Sequence, residues 1–239
     1  MRTKTLAVAG LAAVLLTACG GGDGDSDQAA GSGSSASASK SSGLADKSGP
    51  EVAAAAADAL DEAGAVHVKG DVTEGGTQGG IDMQLQGDDS AGSITLDGQT
   101  VQLISTGGKV YAQAGADFWA ANGVPAEAGS QLDGKWVVLP AETGAELDTL
   151  SLSGLTDELR DPSDGKIKDD VSTGQVDGKD VVVVTQDDGS TLSVAAEGKA
   201  YPLQIADKGD DASTLTLSDF DTKQTITAPA DALDLSQGA

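Results

Sequence analysis

The sequence contains few of the side chains that carry out most enzyme and metal chemistry. Its 239 residues include one cysteine, Cys19, and one histidine, His67. A single cysteine cannot form a disulfide within the chain, and one thiol with one imidazole is too few for a zinc site. Acidic residues are plentiful, but most Asp residues stand beside Gly, Ser or another Asp, where turn formation explains them. We therefore predict no catalytic residue, no metal and no other cofactor.

Positive charge is also scarce. The chain has 14 Lys and Arg residues against 38 Asp and Glu residues, which gives a formal net charge of −24. Proteins that bind nucleic acids need a basic face to contact phosphates, so we exclude a nucleic-acid partner. The same charge repels anionic lipid headgroups, so attachment to a membrane surface needs another source of affinity.

No apolar run is long enough to span a bilayer, which takes about 20 apolar residues. The run Leu6–Leu16 follows a positively charged start and leads into Leu16-Thr17-Ala18-Cys19. This order is typical of a secretory signal peptide, and its last four residues resemble the lipobox of bacterial lipoprotein precursors. The resemblance implies that residues 1–18 are removed and that acylated Cys19 holds the chain on the extracytoplasmic face of the cell membrane. The alternative is an ordinary secretion signal with a spare cysteine.

The remaining chain divides into a tether and one domain. Residues 19–47 consist mostly of Gly, Ser, Ala and Asp and cannot bury a core, which predicts a flexible segment. Residues 48–239 are enough for a single domain. A helix is predicted to begin at the capping residue Ser48, with Glu51 three residues later, and to end at Gly64.

After this helix the hydrophobic period changes to two. Apolar and polar residues alternate from Val66-His67-Val68-Lys69 onward, which predicts strands with one apolar face. Asp-Gly and Gly-Gly pairs recur between the strands and favour tight turns, so we expect an antiparallel meander of roughly ten strands. Two segments interrupt it: 117–129, predicted as a loop or short helix, and 142–160, predicted as one or two helices broken near Gly154.

His67 is the only residue on which a Ser-His-Asp triad could be built. Its position on the polar side of a strand, next to Lys69, favours an ordinary exposed histidine. A hydrolase would need a polar cleft with a perturbed carboxylate or histidine, and we keep it as a third hypothesis.

Four of the six aromatic residues fall within 26 residues of one another: Tyr111, Phe118, Trp119 and Trp136. Large rings dominate the burial of apolar surface in a core, so this cluster indicates either plain core or the wall of an apolar cavity.

In their order along the chain, several segments resemble the actinobacterial lipoproteins related to LppX and LprG, which share the LolA-like fold. The resemblance covers roughly residues 48–235. The segments are the helix opening at Ser48-Gly49-Pro50 and running into Val66–Gly70, Gly108–Tyr111 followed by Phe118-Trp119, Gly134–Pro140, Ala200–Ile205 and Leu217–Phe220.

This resemblance implies an α+β fold with a strongly curved antiparallel sheet, a half-open barrel, and helices across its concave face. It also implies that the chain binds lipids or lipidated molecules in the gap and moves them from the membrane. The apolar residues here are mainly Ala and Val rather than Phe, Leu and Met, so the cavity is expected to be shallow or filled.

The first hypothesis is therefore a non-enzymatic carrier of a lipid or lipoprotein. The alternative is an acidic adaptor that binds an envelope protein and no lipid. Neither hypothesis fixes the oligomeric state. Strand parity and the aromatic cluster give the candidate cavity lining: Met83, Leu85, Leu103, Tyr111, Phe118, Trp119, Trp136, Leu150, Leu155 and Leu159.

Overall fold

The computed structural model describes residues 43–140, 150–163, 165–208 and 212–234. These residues form an α+β fold in which helices pack on one large, open, mixed β-sheet. The predicted signal peptide, Cys19 and the tether up to residue 42 lie outside the described residues. In the described part of the chain, no helix is both long enough and apolar enough to cross a bilayer.

The described elements comprise a short 3₁₀ helix at Leu44–Asp46, four α-helices and twelve strands. The helices are α1 (Gly49–Ala63), α2 (Ala116–Ala121), α3 (Ala126–Leu132) and α4 (Leu152–Arg160). The strands are β1 (Val66–Glu74), β2 (Thr77–Gln86), β3 (Asp89–Leu96), β4 (Gln99–Thr106), β5 (Lys109–Gln113), β6 (Trp136–Val138), β7 (Ile167–Val176), β8 (Lys179–Gln186), β9 (Thr191–Ala195), β10 (Pro202–Ala206), β11 (Thr214–Ser218) and β12 (Leu233–Asp234).

The sheet consists of two antiparallel meanders joined at its centre. Its strand order is β12-β6-β5-β4-β3-β2-β1-β11-β10-β9-β8-β7, so β1 pairs with β11 at the centre of the sheet. Among the described strands, β7 and β12 form the two edges. About ten strands were predicted, and the described residues form twelve. The prediction that all of them are antiparallel was wrong, since β12 pairs with β6 in parallel. A two-residue strand reached by a long connection leaves no periodic signal in the sequence.

The predicted turn chemistry is present at most of the hairpins. Asp97-Gly98 and Asp177-Gly178 both have positive φ at both residues, as tight hairpin turns of this kind require, and they connect β3 to β4 and β7 to β8. The similar pair Asp133-Gly134 does not form a hairpin, because it connects helix α3 to β6. There the Gly134 N–H donates to the Ala114 carbonyl at 3.0 Å, which ties the end of the helix to the sheet.

Helix α1 begins and ends as predicted. The backbone N–H and the hydroxyl of Ser48 donate to one Glu51 carboxylate oxygen at 2.9 and 2.7 Å, and these bonds lower the pKa of Glu51. At the other end Gly64 adopts a left-handed conformation and its N–H donates to the Leu60 carbonyl at 3.0 Å. One side of the helix is buried, including Val52 and Leu60, which are 0% exposed.

The two interrupting segments are helical where they are described. The segment 117–129 is largely covered by α2 and α3, which are two short helices. Helix α4 begins at Leu152 and runs through Gly154, so there is no break at Gly154 itself. Gly154 lies in the first turn of α4, where the Ser151 hydroxyl accepts its N–H at 3.0 Å and caps the helix. Residues 142–149 of this prediction lie outside the described residues.

One hydrophobic core joins the helices to one face of the sheet, here called the apolar face. Val68, Met83 and Leu103 belong to this core on the first half of the sheet, and Val182 and Val194 belong to it on the second half. Helix α1 contacts α4 and strands β7 to β10, so it covers the second half. This arrangement determines where space is left on the apolar face.

Candidate functional site: an apolar cavity with an acidic rim

A cavity of about 520 Å³ lies between helices α1 and α4 and the second half of the sheet. Its volume falls within the range typical of small-molecule sites, which is about 300–1,000 Å³. Eight apolar side chains line it: Ala53, Leu155, Leu159, Ile167, Val184, Leu192, Ile205 and Leu215. Seven polar residues complete the lining: Glu158, Gln186, Asp188, Ser190, Thr191, Asp207 and Lys208.

The floor of the cavity is a row of four apolar side chains, here called the apolar row. Val184 pairs with Leu192, Leu192 with Ile205, and Ile205 with Leu215, so the row crosses β8 to β11 in register. Neighbouring strands lie about 4.8 Å apart, which makes the row about 14 Å long. The alternation of each strand therefore builds a continuous apolar strip under the helices.

Helix α1 approaches the sheet closely because it is built from small residues. A Cβ atom at Gly49 would collide with the carbonyl oxygen of Lys168 on β7, so only glycine allows this approach. One turn further along, Ala53 lines the cavity with a single methyl group and is 1% exposed. An alanine-rich helix can lie close against its neighbour, and the small side chain of Ala53 leaves space for the cavity.

Helix α4 packs on the core through Leu152 and Leu159, and one arginine connects it to α1. The Arg160 guanidinium contacts Asp58 at 2.9 Å and Asp61 at 2.6 Å on α1, and its pKa is raised by these two hydrogen bonds. A single side chain that bonds two carboxylates positions one helix relative to the other. Leu155 and Leu159, on the same helix as Arg160, form part of the wall beside the sheet.

The charged residues of the lining are all exposed, and they form what we call the rim: Glu158, Asp188, Asp207 and Lys208. The Asp188 carboxylate accepts the backbone N–H and the hydroxyl of Ser190, both at 2.9 Å, and these bonds lower the pKa of Asp188. The Ser190 hydroxyl in turn accepts the backbone N–H of Lys208 at 3.2 Å. The rim is therefore an ordered, mainly anionic edge above an apolar strip.

Two of the ten predicted lining residues, Leu155 and Leu159, line this cavity. Met83, Leu85 and Leu103 lie on the apolar face but in its first half, where they are at most 7% exposed and belong to the core. Leu150 is half-buried and packs against the same core.

The four predicted aromatic residues are divided between the two sides of the sheet. Leu103 pairs with Ala112, so the adjacent Tyr111 points to the opposite face, and Trp136, which pairs with Gln113, shares that face. Trp119 is 5% exposed and joins the core, where its ring meets Phe118 edge-on at 5.3 Å. In the described part of the structure, the buried Trp119 Nε1 has no hydrogen-bond partner.

Sequence reasoning missed most of the cavity wall, above all Val184, Leu192, Ile205 and Leu215. Their alternation is visible in the sequence, but it looks the same in strands that carry filled core. The two halves of the sheet differ in the helix that covers them, because the small residues of α1 leave space above the second half. Nothing in the sequence pattern indicates that α1 packs on these particular strands.

His67 lies outside the cavity, in a polar cluster on β1, β2 and β11. Its Nε2 is 2.7 Å from an Asp82 oxygen, its Nδ1 is 3.5 Å from the Ser218 hydroxyl, and Asp219 lies 3.8 Å from Nδ1. Lys69 contacts the second Asp82 oxygen at 2.8 Å. Hydrogen bonds lower the pKa of Asp82, and the bond from Lys69 contributes more than the bond from His67.

This order of Ser, His and Asp resembles a triad, but it lacks a site for a substrate. The three residues lie on neighbouring strands whose backbone groups are used in the ladders, and a triad needs free N–H groups for the oxyanion. The hollow beside Asp82 is lined by Lys69, Ile81 and Thr95 among others, but by neither His67 nor Ser218. Among the described residues, no group of three or more His, Cys, Asp or Glu side chains could hold a metal ion.

Comparison with known proteins gives a likeness that concerns the fold. No protein-family model matches the sequence, and no curated protein does. Among solved structures, the crystal structure of LprF from Mycobacterium bovis matches with a TM-score of 0.50 and 17% sequence identity, over 76% of this chain and 97% of that one. The predicted resemblance to the LppX and LprG group is thereby confirmed at the level of the fold.

Proposed function

We propose that this protein is a non-enzymatic lipoprotein that binds the acyl chain of a lipid in the cavity between α1, α4 and the second half of the sheet. The observation that carries the proposal is the apolar row, which forms the floor of a 520 Å³ cavity. Cavities of this size and lining bind small apolar molecules. The fold shared with LprF, a member of a group of lipoproteins, supports the same reading.

The distribution of polar groups around the cavity suits an amphiphile. The charged side chains stand at the exposed rim, whereas eight of the eleven uncharged lining residues are Ala, Val, Leu or Ile. An acyl chain gains about 0.8 kcal/mol for each methylene that it buries in such a wall. The polar part of the same molecule remains at the rim, in contact with water.

The membrane attachment in this proposal rests on the sequence. Acylation of Cys19 places the domain on the extracytoplasmic face of the cell membrane, with residues 19–42 as a tether. The predicted end of the tether at residue 47 moves back because Leu44 is 4% exposed and belongs to the core. Two acyl chains are enough for stable anchoring, whereas one chain alone binds only marginally. The anchor lets the cavity take up a lipid close to the surface from which the lipid leaves.

Native mass spectrometry tests whether the domain binds lipid. The full chain carrying Cys19→Ser is exported from a lipid-containing host and purified without detergent. We expect an additional mass that organic extraction resolves into a lipid with an acyl chain. A clean apo mass that also stays unchanged after incubation with envelope lipids contradicts the proposal and favours the acidic adaptor.

A pair of variants tests whether the lipid occupies this cavity. Leu155→Trp adds volume to the cavity wall, while Leu150→Trp makes the same change at another half-buried leucine near α4 that does not line the cavity. We expect the additional mass to disappear only from Leu155→Trp, with both variants folded by circular dichroism. Equal retention of lipid by the two variants locates the lipid elsewhere.

The anchor has an independent test. Growth with an alkyne-labelled fatty acid, followed by coupling to a fluorophore, labels a lipoprotein at its acylated cysteine. We expect the wild-type chain to be labelled and to sediment with membranes. The Cys19→Ser variant is expected to lose the label, and labelling that survives in this variant contradicts the assignment.

A further inference from the structure

Among the described residues, the floor of the cavity consists of the apolar row alone, which limits the number of acyl chains that the cavity can hold. On a strand, side chains of one face are two residues apart, or about 6.6 Å. The next row deeper, Val182, Val194 and Leu217, does not line the cavity and belongs to the core that α1 joins. In the part of the chain that the structure describes, no second strip of apolar side chains therefore lines the cavity beneath α1.

On its other side, the apolar row is bounded by polar residues. Gln186, at the end of β8, stands two positions from Val184, while Ser190 and Asp207, just outside β9 and β10, stand two positions from Leu192 and Ile205. All three line the cavity. An acyl chain placed across this polar row loses apolar contact and covers groups that need hydrogen bonds. The floor is thus one acyl chain wide.

The volume leads to the same limit by an independent route. A water molecule takes up about 30 Å³ in the liquid, and a methylene group is of similar size. A cavity of 520 Å³ therefore holds about 17 methylene-sized groups. One palmitoyl or stearoyl chain fits this space, whereas two chains need about twice as much.

The rim discriminates between headgroups by charge. Glu158, Asp188 and Asp207 carry three negative charges against the single positive charge of Lys208. The hydrogen bonds from Ser190 hold the pKa of Asp188 below its usual range, so this carboxylate stays ionised at neutral pH. A phosphate or carboxylate headgroup without a compensating cation meets net repulsion at this edge.

We infer that the ligand is an amphiphile with one acyl chain and a headgroup that carries no net negative charge. This inference rests on the proposed function and goes further, because it specifies the number of chains and the charge of the head. It separates the ligand from diacyl lipids and from free fatty acids.

Three probes test the inference on the full chain carrying Cys19→Ser, with native mass spectrometry and fluorescence titration below the micelle concentration of each probe. They are palmitoyl lysophosphatidylcholine with one chain, dipalmitoyl phosphatidylcholine with two, and palmitoyl lysophosphatidylglycerol with one chain and a negative head. We expect a 1:1 complex with the first probe and affinities at least about tenfold weaker for the other two. If dipalmitoyl phosphatidylcholine binds as tightly as palmitoyl lysophosphatidylcholine, the inference of a single acyl chain is wrong. If palmitoyl lysophosphatidylglycerol binds as tightly as palmitoyl lysophosphatidylcholine, the inference about the headgroup charge is wrong. If none of the three probes binds, the proposed function itself is wrong.

A charge reversal at the rim makes the headgroup test quantitative. We expect Glu158→Lys to strengthen binding of lysophosphatidylglycerol relative to lysophosphatidylcholine by about 25-fold, because it removes one close repulsion and adds one close attraction, each of which changes affinity about fivefold in water. The matched control is Glu197→Lys, the same change at an exposed residue between β9 and β10 that does not line the cavity. An unchanged ratio for Glu158→Lys, or an equal gain for both variants, contradicts the assignment of the headgroup to this rim.

Discussion

Replacing Leu60 by alanine tests whether α1 is the element on which the second half of the sheet depends. Leu60 is 0% exposed and belongs to the core that joins α1 to β8 and β9. The change removes three buried carbons at about 0.8 kcal/mol each, and the cavity left behind adds to this loss. We expect the free energy of unfolding to fall by about 3–4 kcal/mol, a large part of the 5–15 kcal/mol typical of a domain.

Urea unfolding followed by circular dichroism measures this change. With a slope near 2 kcal/mol per molar, a loss of about 3–4 kcal/mol lowers the midpoint by about 1.5–2 M while the slope stays unchanged. The control is Leu96→Ala, because Leu96 is 36% exposed and its truncation is expected to cost about 1 kcal/mol or less. A midpoint shift for Leu60→Ala no larger than that of the control would refute the view that α1 is packed into the core.

Two further changes test the sheet. Gly70→Ala is expected to cost about 1–3 kcal/mol in thermal unfolding, because a Cβ there collides with the backbone of Thr214 on β11, whereas Gly174→Ala on edge strand β7 meets only ordinary contacts and serves as the control. Asp82→Asn is expected to lower the melting temperature at about pH 6 but much less at about pH 3, since the folded pKa of Asp82 is depressed and its stabilising effect is lost as pH falls through that pKa. An equal effect of Asp82→Asn at both pH values counts against the contacts with Lys69 and His67.

The parts of the fold that depend on neighbouring residues could be predicted from the sequence. The start of α1 follows from Ser48 and Glu51, and its end follows from Gly64, because caps are made within a few residues. Turns such as Asp97-Gly98 are equally local. Strand parity also placed Met83 and Leu103 on the apolar face, where the cavity lies as well.

The position of the cavity along that face depends on contacts between residues distant in sequence. Arg160 reaches Asp58 across 102 positions, and this contact, which connects α4 to α1, has no signature in the hydrophobic pattern. Alternation shows which side of a strand is buried but not which helix covers it. The aromatic cluster led to a predicted cavity at the first half of the sheet. Trp119 is instead buried in the core there and does not line a cavity.

Small residues on α1, rather than large ones on the sheet, create the space for a ligand, and this can be tested at Ala53. Because Ala53 lines the cavity, Ala53→Leu adds three carbons into empty space, so we expect unchanged or higher stability together with a preference for acyl chains about three carbons shorter.

Ala57→Leu is the matched control. Ala57 is 0% exposed on the same helix and does not line the cavity, so overpacking there is expected to cost about 1–3 kcal/mol without changing the chain-length preference. Thermal unfolding and a titration series of lysophosphatidylcholines with increasing chain length measure both quantities. If Ala53→Leu destabilised the protein as much as Ala57→Leu and left the chain-length preference unchanged, the empty space would not lie beside Ala53, and the cavity could not be the lipid site.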